Sequence, residues 1–253
     1  MNTLLHIHDL TMRFAGLVAV SEFNLGLKKN ELVGLIGPNG AGKTTVFNML
    51  TGVYTPTEGQ ILLNDELLNP LKPHDITTRG IARTFQNIRL FKNLSVLDNV
   101  RLGYHIHMSY GLFAMAMESP HYEKEENEAR QKCMDLLKIF HLQQNAHQQA
   151  KNLPYGAQRR LEILRALATQ PKILLLDEPA AGLNARETED LMATIQQIRK
   201  QFDLTILLIE HDMKLVMGIC ERILVLDHGE TIAEGTPKEI QSNPTVIKAY
   251  LGE

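Results

Sequence analysis

Two segments of the chain combine residues whose types and spacing suit phosphate chemistry. The first, Gly37 to Thr44, fits G-x-x-x-x-G-K-[S/T] between an apolar run and a helix-like segment. Its glycines let backbone N–H groups turn towards one point, and the following helix adds its positive N-terminal end. Lys43 would reach the β- and γ-phosphates of a nucleotide, and the Thr44 hydroxyl would ligate Mg²⁺. The predicted phosphate-binding residues are Gly37, Pro38, Asn39, Gly40, Ala41, Gly42, Lys43, Thr44 and Thr45. A chance glycine-rich turn is the alternative, which the flanking strand and helix disfavour.

The second segment, residues 153–178, ends in two adjacent carboxylates. The apolar run Ile173 to Leu176 predicts a buried strand that carries Asp177 and Glu178 at its end. Asp177 is placed to hold Mg²⁺, directly or through water. Glu178 points differently and would polarise an attacking water. A solvated strand end is the ordinary explanation for such a pair, but a phosphate loop needs a second acid beside its metal.

Three further features accompany these segments. His211 follows the apolar strand 206–209, which is expected to run parallel to the carboxylate strand, so its imidazole would face the γ-phosphate. Gln86 follows Ala82 to Phe85, where its side chain would touch the metal or a water molecule. Taken alone, a histidine is more often structural than catalytic, and a single glutamine is weak evidence for a functional site. The stretch 155–158 predicts a glycine-containing turn with no phosphate of its own to hold.

The composition favours a globular protein with one large domain, or a core and a subdomain. The chain has 253 residues, 44% hydrophobic and 22% charged, with a net charge of −3. That balance gives no general affinity for nucleic acid. Cys133 and Cys220 are expected to be reduced structural thiols. The N-terminus lacks the pattern of a signal peptide, and no apolar run is long enough to span a bilayer.

Periodicity divides the chain into two kinds of segment. Strand patterns with turns occupy the first part, and strands alternate with helices after residue 173, which predicts a parallel sheet covered by helices. Between them, Glu123 to Leu142 has apolar residues at helical spacing and predicts a helical insert.

Taken in order, these motifs resemble the ATP-binding subunits of ABC transporters over essentially the whole chain. The six matching elements are Walker A at 37–44, the Q-loop Gln86, the signature LPYGAQ at 153–158, Walker B at 173–178, the D-loop AAGLN at 180–184 and the switch His211. The set is specific because every element occurs in the family's order and spacing.

A finer resemblance points to the branched-chain amino acid importers, and there to the larger of their two ATPase subunits. It rests on FAGLVAV, RTFQNIRLF at 83–91, DEPAAGLN, IEHDMKLVMGIC and NPTVIKAYLGE. Importers of urea, amides or other amino acids have near relatives of similar sequence and remain alternatives.

The resemblance implies an α/β fold, the P-loop NTPase fold of ABC-type nucleotide-binding domains. It has a parallel core sheet, an antiparallel β subdomain and an inserted helical subdomain. The chain, 1–253, would be a single such domain. Its core and β subdomain would comprise 1–87 and 159–253, and its helical subdomain 88–158.

The resemblance also implies a head-to-tail dimer with two ATP molecules between the subunits. The expected catalytic residues are Glu178, His211 and Lys43. The residues expected to bind Mg²⁺ are Thr44, Gln86 and Asp177. Phe14 would stack on the adenine, although an ordinary core aromatic is an equal alternative. The signature residues would act on the partner's ATP; they are Pro154, Tyr155, Gly156, Ala157 and Gln158.

The implied partners are those of an importer at the cytoplasmic face of the bacterial inner membrane, where the chain would be peripheral. They are a second ATP-binding subunit that forms a heterodimer with this one, two integral membrane permease subunits and, indirectly, a solute-binding protein. Nucleic acid is not expected.

The chain departs from the family's usual motifs at the signature and the D-loop. Only Leu153 and Gly156 of the common LSGGQ pattern are retained, so a hydroxyl contact to the γ-phosphate is missing, and the D-loop ends in Asn184 rather than aspartate. The hypothesis that follows is a heterodimer with two unequal ATP sites, the weaker being the one that contains this signature.

Three other points remain open from the sequence. The short apolar patch 111–117 is either local core or part of a groove for a membrane subunit, and His105 with His107 is an incidental pair rather than a metal site. The rival functions are a non-transport ABC ATPase acting on ribosomes or DNA, and an ATP-binding scaffold without turnover. The single unit and the net charge of −3 disfavour the first. Intact Lys43, Asp177, Glu178 and His211 disfavour the second.

Overall fold

The computed structural model describes residues 3–110, 117 and 119–251. The chain forms two compact units, one of Met1–Gln86 with Lys172–Glu253 and one of Asn87–Pro171. The sequence prediction ended the helical part at residue 158, ahead of the helix Tyr155–Leu167. That helix packs on the helix Val96–Tyr104 of the second unit, so the unit extends to Pro171.

A six-stranded sheet forms the centre of the first unit. Its strands are β3 (Leu32–Ile36), β6 (Ile81–Arg83), β7 (Ile173–Asp177), β8 (Thr205–Ile209), β9 (Arg222–Asp227) and β10 (Glu230–Gly235). The order is β10-β9-β3-β8-β7-β6, and all neighbours are parallel except β9 and β10. β3, β7 and β8 are buried along their full length, as their apolar runs predict.

The sheet order explains why the chemistry collects at one edge. β8 lies between β3 and β7, so the carboxyl ends of three neighbouring parallel strands meet there. The phosphate loop follows β3, the carboxylate pair ends β7, and His211 follows β8. This is the edge at which open α/β sheets place their ligands.

A four-stranded antiparallel sheet of order β2-β1-β4-β5 completes the strands of this unit. It contains β1 (Thr3–Phe14), β2 (Leu17–Lys28), β4 (Glu58–Leu63) and β5 (Glu66–Leu67). Both expected sheets are therefore present. The inward residues of β1, β2 and β4 share one apolar core with Phe47 and Leu50.

Helices flank or follow the strands in the described part of the first unit. They are α1 (Lys43–Leu50), α2 (Pro73–Arg79), α6 (Ala185–Gln201), α7 (Met213–Ile219), α8 (Pro237–Gln241) and α9 (Pro244–Leu251). The two cysteines are free, and burial raises the pKa of Cys133 to about 11 and that of Cys220 to about 12.

The second unit contains helices without a sheet in its described part. They are α3 (Val96–Tyr104), α4 (Pro120–Ile139) and α5 (Tyr155–Leu167), with short 3₁₀ turns at 105–107, 143–145 and 150–152. α3 packs on both α4 and α5. Ala129, Cys133 and Leu137 form the buried face of α4, as their spacing predicts.

One sequence expectation for this unit changes. Residues 155–158 are the first turn of α5 rather than a separate glycine turn, because Pro154 takes the extended N-cap conformation and its carbonyl accepts the Gln158 N–H at 3.0 Å. In the apolar patch 111–117, residues 111–116 lie outside those described, and Met117 is exposed.

Within the described residues, no helix has both the length and the apolar character needed to cross a membrane.

Candidate nucleotide site

The phosphate loop has a backbone that only glycine permits at two of its positions. Gly37 and Gly42 have positive φ, and a Cβ atom at these residues would lie 1.9 Å from the Leu226 carbonyl oxygen and 2.6 Å from that of Ala19. The loop is thus held against the strand β9 and the strand β2. α1 begins directly after it at Lys43, so the helix N-terminus faces the loop.

Lys43 is bonded to its own loop in this structure. Its Nζ donates to the carbonyl oxygens of Gly37 at 2.7 Å and Pro38 at 2.8 Å, and the residue is buried. Burial lowers the pKa of Lys43, while the carboxylates of Glu178 and Asp177 raise it. An anion bound in the loop would provide oxygen atoms that accept hydrogen bonds from the Lys43 ammonium group in place of these carbonyl oxygens.

Glu178 is the centre of a hydrogen-bonded chain. Its Oε2 accepts from Gln86 Nε2 at 2.7 Å, and its Oε1 lies 2.7 Å from His211 Nε2. Its φ of 46° is in the left-handed region, which is rare outside glycine and is found preferentially at functional sites. The structure therefore brings together three residues that the sequence singled out separately.

Asp177 has a different partner. Its Oδ2 accepts a 2.7 Å bond from Arg83 Nη2, and both side chains are 5% exposed. The sequence predicts Asp177 to be a metal ligand and indicates no role for Arg83. A sequence signal for Arg83 exists, because it is the one cation of the short strand Ile81–Arg83, which pairs in parallel with β7.

A cavity of about 550 Å³ joins these elements. Its lining includes the expected loop residues 39–45, Gln86, Glu178 and His211, together with Leu17, Val18, Ala19 and His228, which the sequence argument did not single out. Phe14 packs edge-on against Tyr54, with ring centroids 5.2 Å apart, and is 39% exposed. The core alternative for Phe14 is therefore wrong, and its stacking role stays a prediction.

The chemistry of the donor set fits a hard cation. Thr44 offers a hydroxyl, Asp177 a carboxylate and Gln86 an amide oxygen, which are the oxygen ligands Mg²⁺ prefers in company with water and phosphate. In the described parts of the chain, no cluster of three or more His, Cys, Asp or Glu side chains could hold a metal ion.

Glu210 is a buried carboxylate that the sequence argument missed. Its Oε1 accepts from Ala180 N at 2.6 Å, and its Oε2 accepts from His211 N at 2.9 Å and Asp212 N at 3.3 Å. Burial raises the pKa of Glu210, and these backbone donors lower it, with burial the larger effect. One side chain thus ties the loop after Glu178 to the loop after β8.

The signature residues lie in the second unit, at the start of α5. The N-cap Pro154 makes no side-chain capping bond, and Tyr155 is 47% exposed. Behind them, Arg159 is fully buried and pairs with Glu162 at 3.0 Å. That buried pair anchors the first turn, because Arg159 Nη2 also donates to the Tyr155 hydroxyl at 3.3 Å.

Asn184 caps α6. Its Oδ1 accepts from the N–H groups of Arg186 and Glu187, and the Glu187 side chain accepts from the Asn184 N–H in return. Asparagine and aspartate are about equally good at this position. The departure from aspartate therefore preserves the local fold of the D-loop's end.

Comparison with known families identifies two matching regions. The ABC transporter profile matches residues 20–181, and the profile described as branched-chain amino acid ATP-binding cassette transporter matches residues 230–253. Together these matches include the phosphate loop, the signature, the carboxylate pair and the C-terminal helices.

Curated relatives match this chain over nearly its full length. The high-affinity branched-chain amino acid transport ATP-binding protein LivG of Escherichia coli (strain K12) is 51% identical, over 99% of this chain and 98% of the relative. BraF of Pseudomonas aeruginosa, described in the same words, is 49% identical over the same shares. The lipopolysaccharide export system ATP-binding protein LptB of Escherichia coli (strain K12) is 34% identical, over 97% and 95%.

Solved structures match in fold as well. The ADP conformation of an ATP-binding cassette of an ABC transporter superposes with a TM-score of 0.86 at 28% identity, covering 100% of both chains. A dimeric bacterial ABC transporter cassette has a TM-score of 0.78 at 27% identity, covering 92% of this chain and 98% of the other.

Proposed function

Because the chain belongs to the ATP-binding subunits of ABC transporters, we propose that it powers the import of branched-chain amino acids. The chain is an ATPase whose turnover is coupled to transport. The proposal adds the transported solute, the partner subunits and the work of individual residues.

One observation supports branched-chain amino acids as the transported solutes. Identity of 51% with LivG extends over 99% of the chain, and identity falls to 34% with an export ATPase of the same family. The C-terminal match at 230–253 is independent support, because this segment lies beyond the general ABC match at 20–181. Import of urea, amides or other amino acids is the alternative.

The residues of the cavity divide the catalytic work. Lys43 releases its loop carbonyls and binds the β- and γ-phosphates. Glu178 orients the attacking water for in-line displacement, and His211, at 2.7 Å from Glu178, donates towards the γ-phosphate. Thr44, Asp177 and Gln86 would hold Mg²⁺, which neutralises charge on the phosphates when bound. Phe14 would pack against the adenine.

The signature would serve a second ATP-binding subunit in a head-to-tail heterodimer. The start of α5, uncapped by the Pro154 side chain, would direct its positive end at the partner's γ-phosphate. Asn184 would lie near the same interface. The dimer would sit at the cytoplasmic face of the inner membrane on two permease subunits, supplied by a solute-binding protein and without nucleic acid.

The test is reconstitution of the native complex. A tag on this chain should co-purify a second ATP-binding subunit and two permeases, identified by mass spectrometry. In proteoliposomes with the binding protein, labelled leucine, isoleucine and valine should accumulate with ATP, and the Glu178→Gln variant should abolish this. Uptake of urea or short amides in their place would assign the alternative solute.

A further inference from the structure

Arg83 is a buried cation held in one orientation. Its Nη2 donates to Asp177 Oδ2 at 2.7 Å, and its side chain is 5% exposed. The guanidinium group also faces two aromatic rings, those of Phe47 at 5.4 Å and Phe85 at 5.1 Å from the ring centroids. A planar group packed and hydrogen-bonded in this way has little freedom to turn.

The other end of the same guanidinium reaches α1. Arg83 Nη1 donates to Asn48 Oδ1 at 2.7 Å and to Thr51 Oγ1 at 3.4 Å. α1 is the helix whose first residues are Lys43 and Thr44. Arg83 therefore bonds two elements at once, the strand that ends in Asp177 and the helix that begins with the phosphate-binding residues.

The two elements must be held in register for the expected chemistry. A magnesium ion shared by the Thr44 hydroxyl and the Asp177 carboxylate requires a defined spacing between α1 and β7, because Mg²⁺ tolerates little departure from octahedral geometry. Groups that hydrogen-bond a ligating carboxylate set its orientation, and their loss costs about 10- to 100-fold in metal affinity.

We propose that Arg83 is a positioning residue that orients Asp177 against the Thr44 helix for magnesium–nucleotide binding. The proposal rests on the Mg²⁺-binding roles proposed above for Thr44 and Asp177. A purely electrostatic effect has the opposite sign, because the positive charge of Arg83 near the site disfavours a cation. The direction of the change in a variant therefore separates positioning from repulsion.

The experiment uses the full-length chain with Glu178→Gln, so that ATP is not consumed. Binding of a fluorescent ATP analogue is titrated with Mg²⁺ for the parent, Arg83→Met and Arg83→Lys, and is repeated in excess EDTA. We expect both variants to need about 10-fold or more Mg²⁺ for half-maximal binding. Affinity for the metal-free analogue should stay within about twofold of the parent, because the hydrogen-bond partners of Arg83, which are Asn48, Thr51 and Asp177, are not among the residues that line the cavity.

The lysine variant supplies the control for charge. It retains the cation but lacks the planar guanidinium whose Nη1 and Nη2 atoms donate separately to Asn48 and Asp177. A normal Mg²⁺ requirement in Arg83→Lys, or a lower requirement in Arg83→Met, would overturn the positioning role. Thermal unfolding of each variant establishes that it folds. If neither Arg83 variant folds, the Asn48→Ala variant tests the proposal instead. It removes the hydrogen bond from Arg83 to Asn48 in α1 and leaves the ion pair of Arg83 with Asp177. A requirement raised about threefold supports the proposal, and an unchanged one overturns it.

Failure of the underlying function would look different. A parent chain that binds no analogue, with or without Mg²⁺, contradicts the proposed ATPase site itself. A parent that binds normally while its Arg83 and Asn48 variants match it contradicts only the role of Arg83.

Discussion

His211 Nε2 lies 2.7 Å from Oε1 of Glu178, although the two residues follow different strands and are 33 positions apart in the chain. The strands β7 and β8 are direct parallel neighbours, with Asp177 opposite Ile209. The contact therefore arises from the sheet register, and it joins the expected water-orienting carboxylate to the expected γ-phosphate contact.

Removing the Glu178 charge should stop turnover without stopping binding. Glu178→Gln keeps the shape of the side chain, replaces one of the two acceptor oxygens that face Gln86 and His211 by an NH₂ group, and is a much weaker base, so kcat should fall by about 10²-fold or more. ATP affinity should change little. Steady-state phosphate release and equilibrium binding measure the two effects. Glu189→Gln is the matched control, since Glu189 is exposed and pairs with Lys214 on the surface. Equal losses in both variants would contradict the catalytic role.

Glu210 should matter through the loops that it joins. Glu210→Ala removes the acceptor for Ala180, His211 and Asp212 N–H groups, and we expect the free energy of unfolding to fall by about 1–3 kcal/mol. Displacement of His211 should lower kcat more than it raises KM for ATP. Denaturant unfolding and ATPase kinetics measure both. Exposed Glu230→Gln should change neither, and a Glu210→Ala variant with normal kcat would exclude a positioning role.

The Glu31–Arg222 pair should give stability a pH dependence in the acid range. Burial raises the Glu31 pKa, but the Arg222 bonds at 2.8 and 2.9 Å, the Lys28 N–H and nearby positive charge lower it more, so the net shift is downward. A carboxyl with a lowered folded-state pKa contributes stability above the ordinary value of 4.5, and this is lost as the pH falls through the folded pKa.

Replacement of Glu31 should remove that contribution. Glu31→Gln should lower the free energy of unfolding at pH 7 by about 1–3 kcal/mol, because it removes the less exposed of the two carboxylates that pair with the partly buried Arg222 guanidinium. The difference from the parent should shrink below pH 4.5. Glu234→Gln removes the exposed partner of the same arginine and should cost about 0–1 kcal/mol. Urea titrations from pH 3.5 to 7 measure this; a constant difference would contradict it.

The two ATP sites of the proposed heterodimer should be unequal. This chain's carboxylates are intact, while its signature lacks the serine hydroxyl at Pro154. Glu178→Gln should therefore reduce ATPase activity of the complex more than the same change in the partner's equivalent glutamate, whose site uses this signature. The ATPase rates of the two singly substituted complexes are compared. Equal losses of activity would contradict the asymmetry.

Much of the fold was predictable because its signals are local. The apolar runs of β3, β7 and β8 predict buried parallel strands, and the spacing of Ala129, Cys133 and Leu137 predicts the buried face of α4. The short strand Ile81–Arg83 was missed because three residues carry little periodic signal. The helix Val96–Tyr104 was missed although its buried residues recur at helical spacing and Ser95 caps its first turn. The first turn of α5 was misread because Gly156 suggests a turn when Pro154 in fact starts a helix.

The sequence by itself determined the phosphate loop, the carboxylate pair, His211 and Gln86, because each requires a particular residue type beside a strand end or a helix start. Only the tertiary structure decided which partners those groups have. Arg83 reaches Asp177 across 94 positions, and Glu210 reaches Ala180 across 30. Such pairs depend on the order and register of β6, β7 and β8, which no local pattern encodes. Burial then makes each pairing consequential, because a charge or a carboxylate removed from water is stable only with its partner in place.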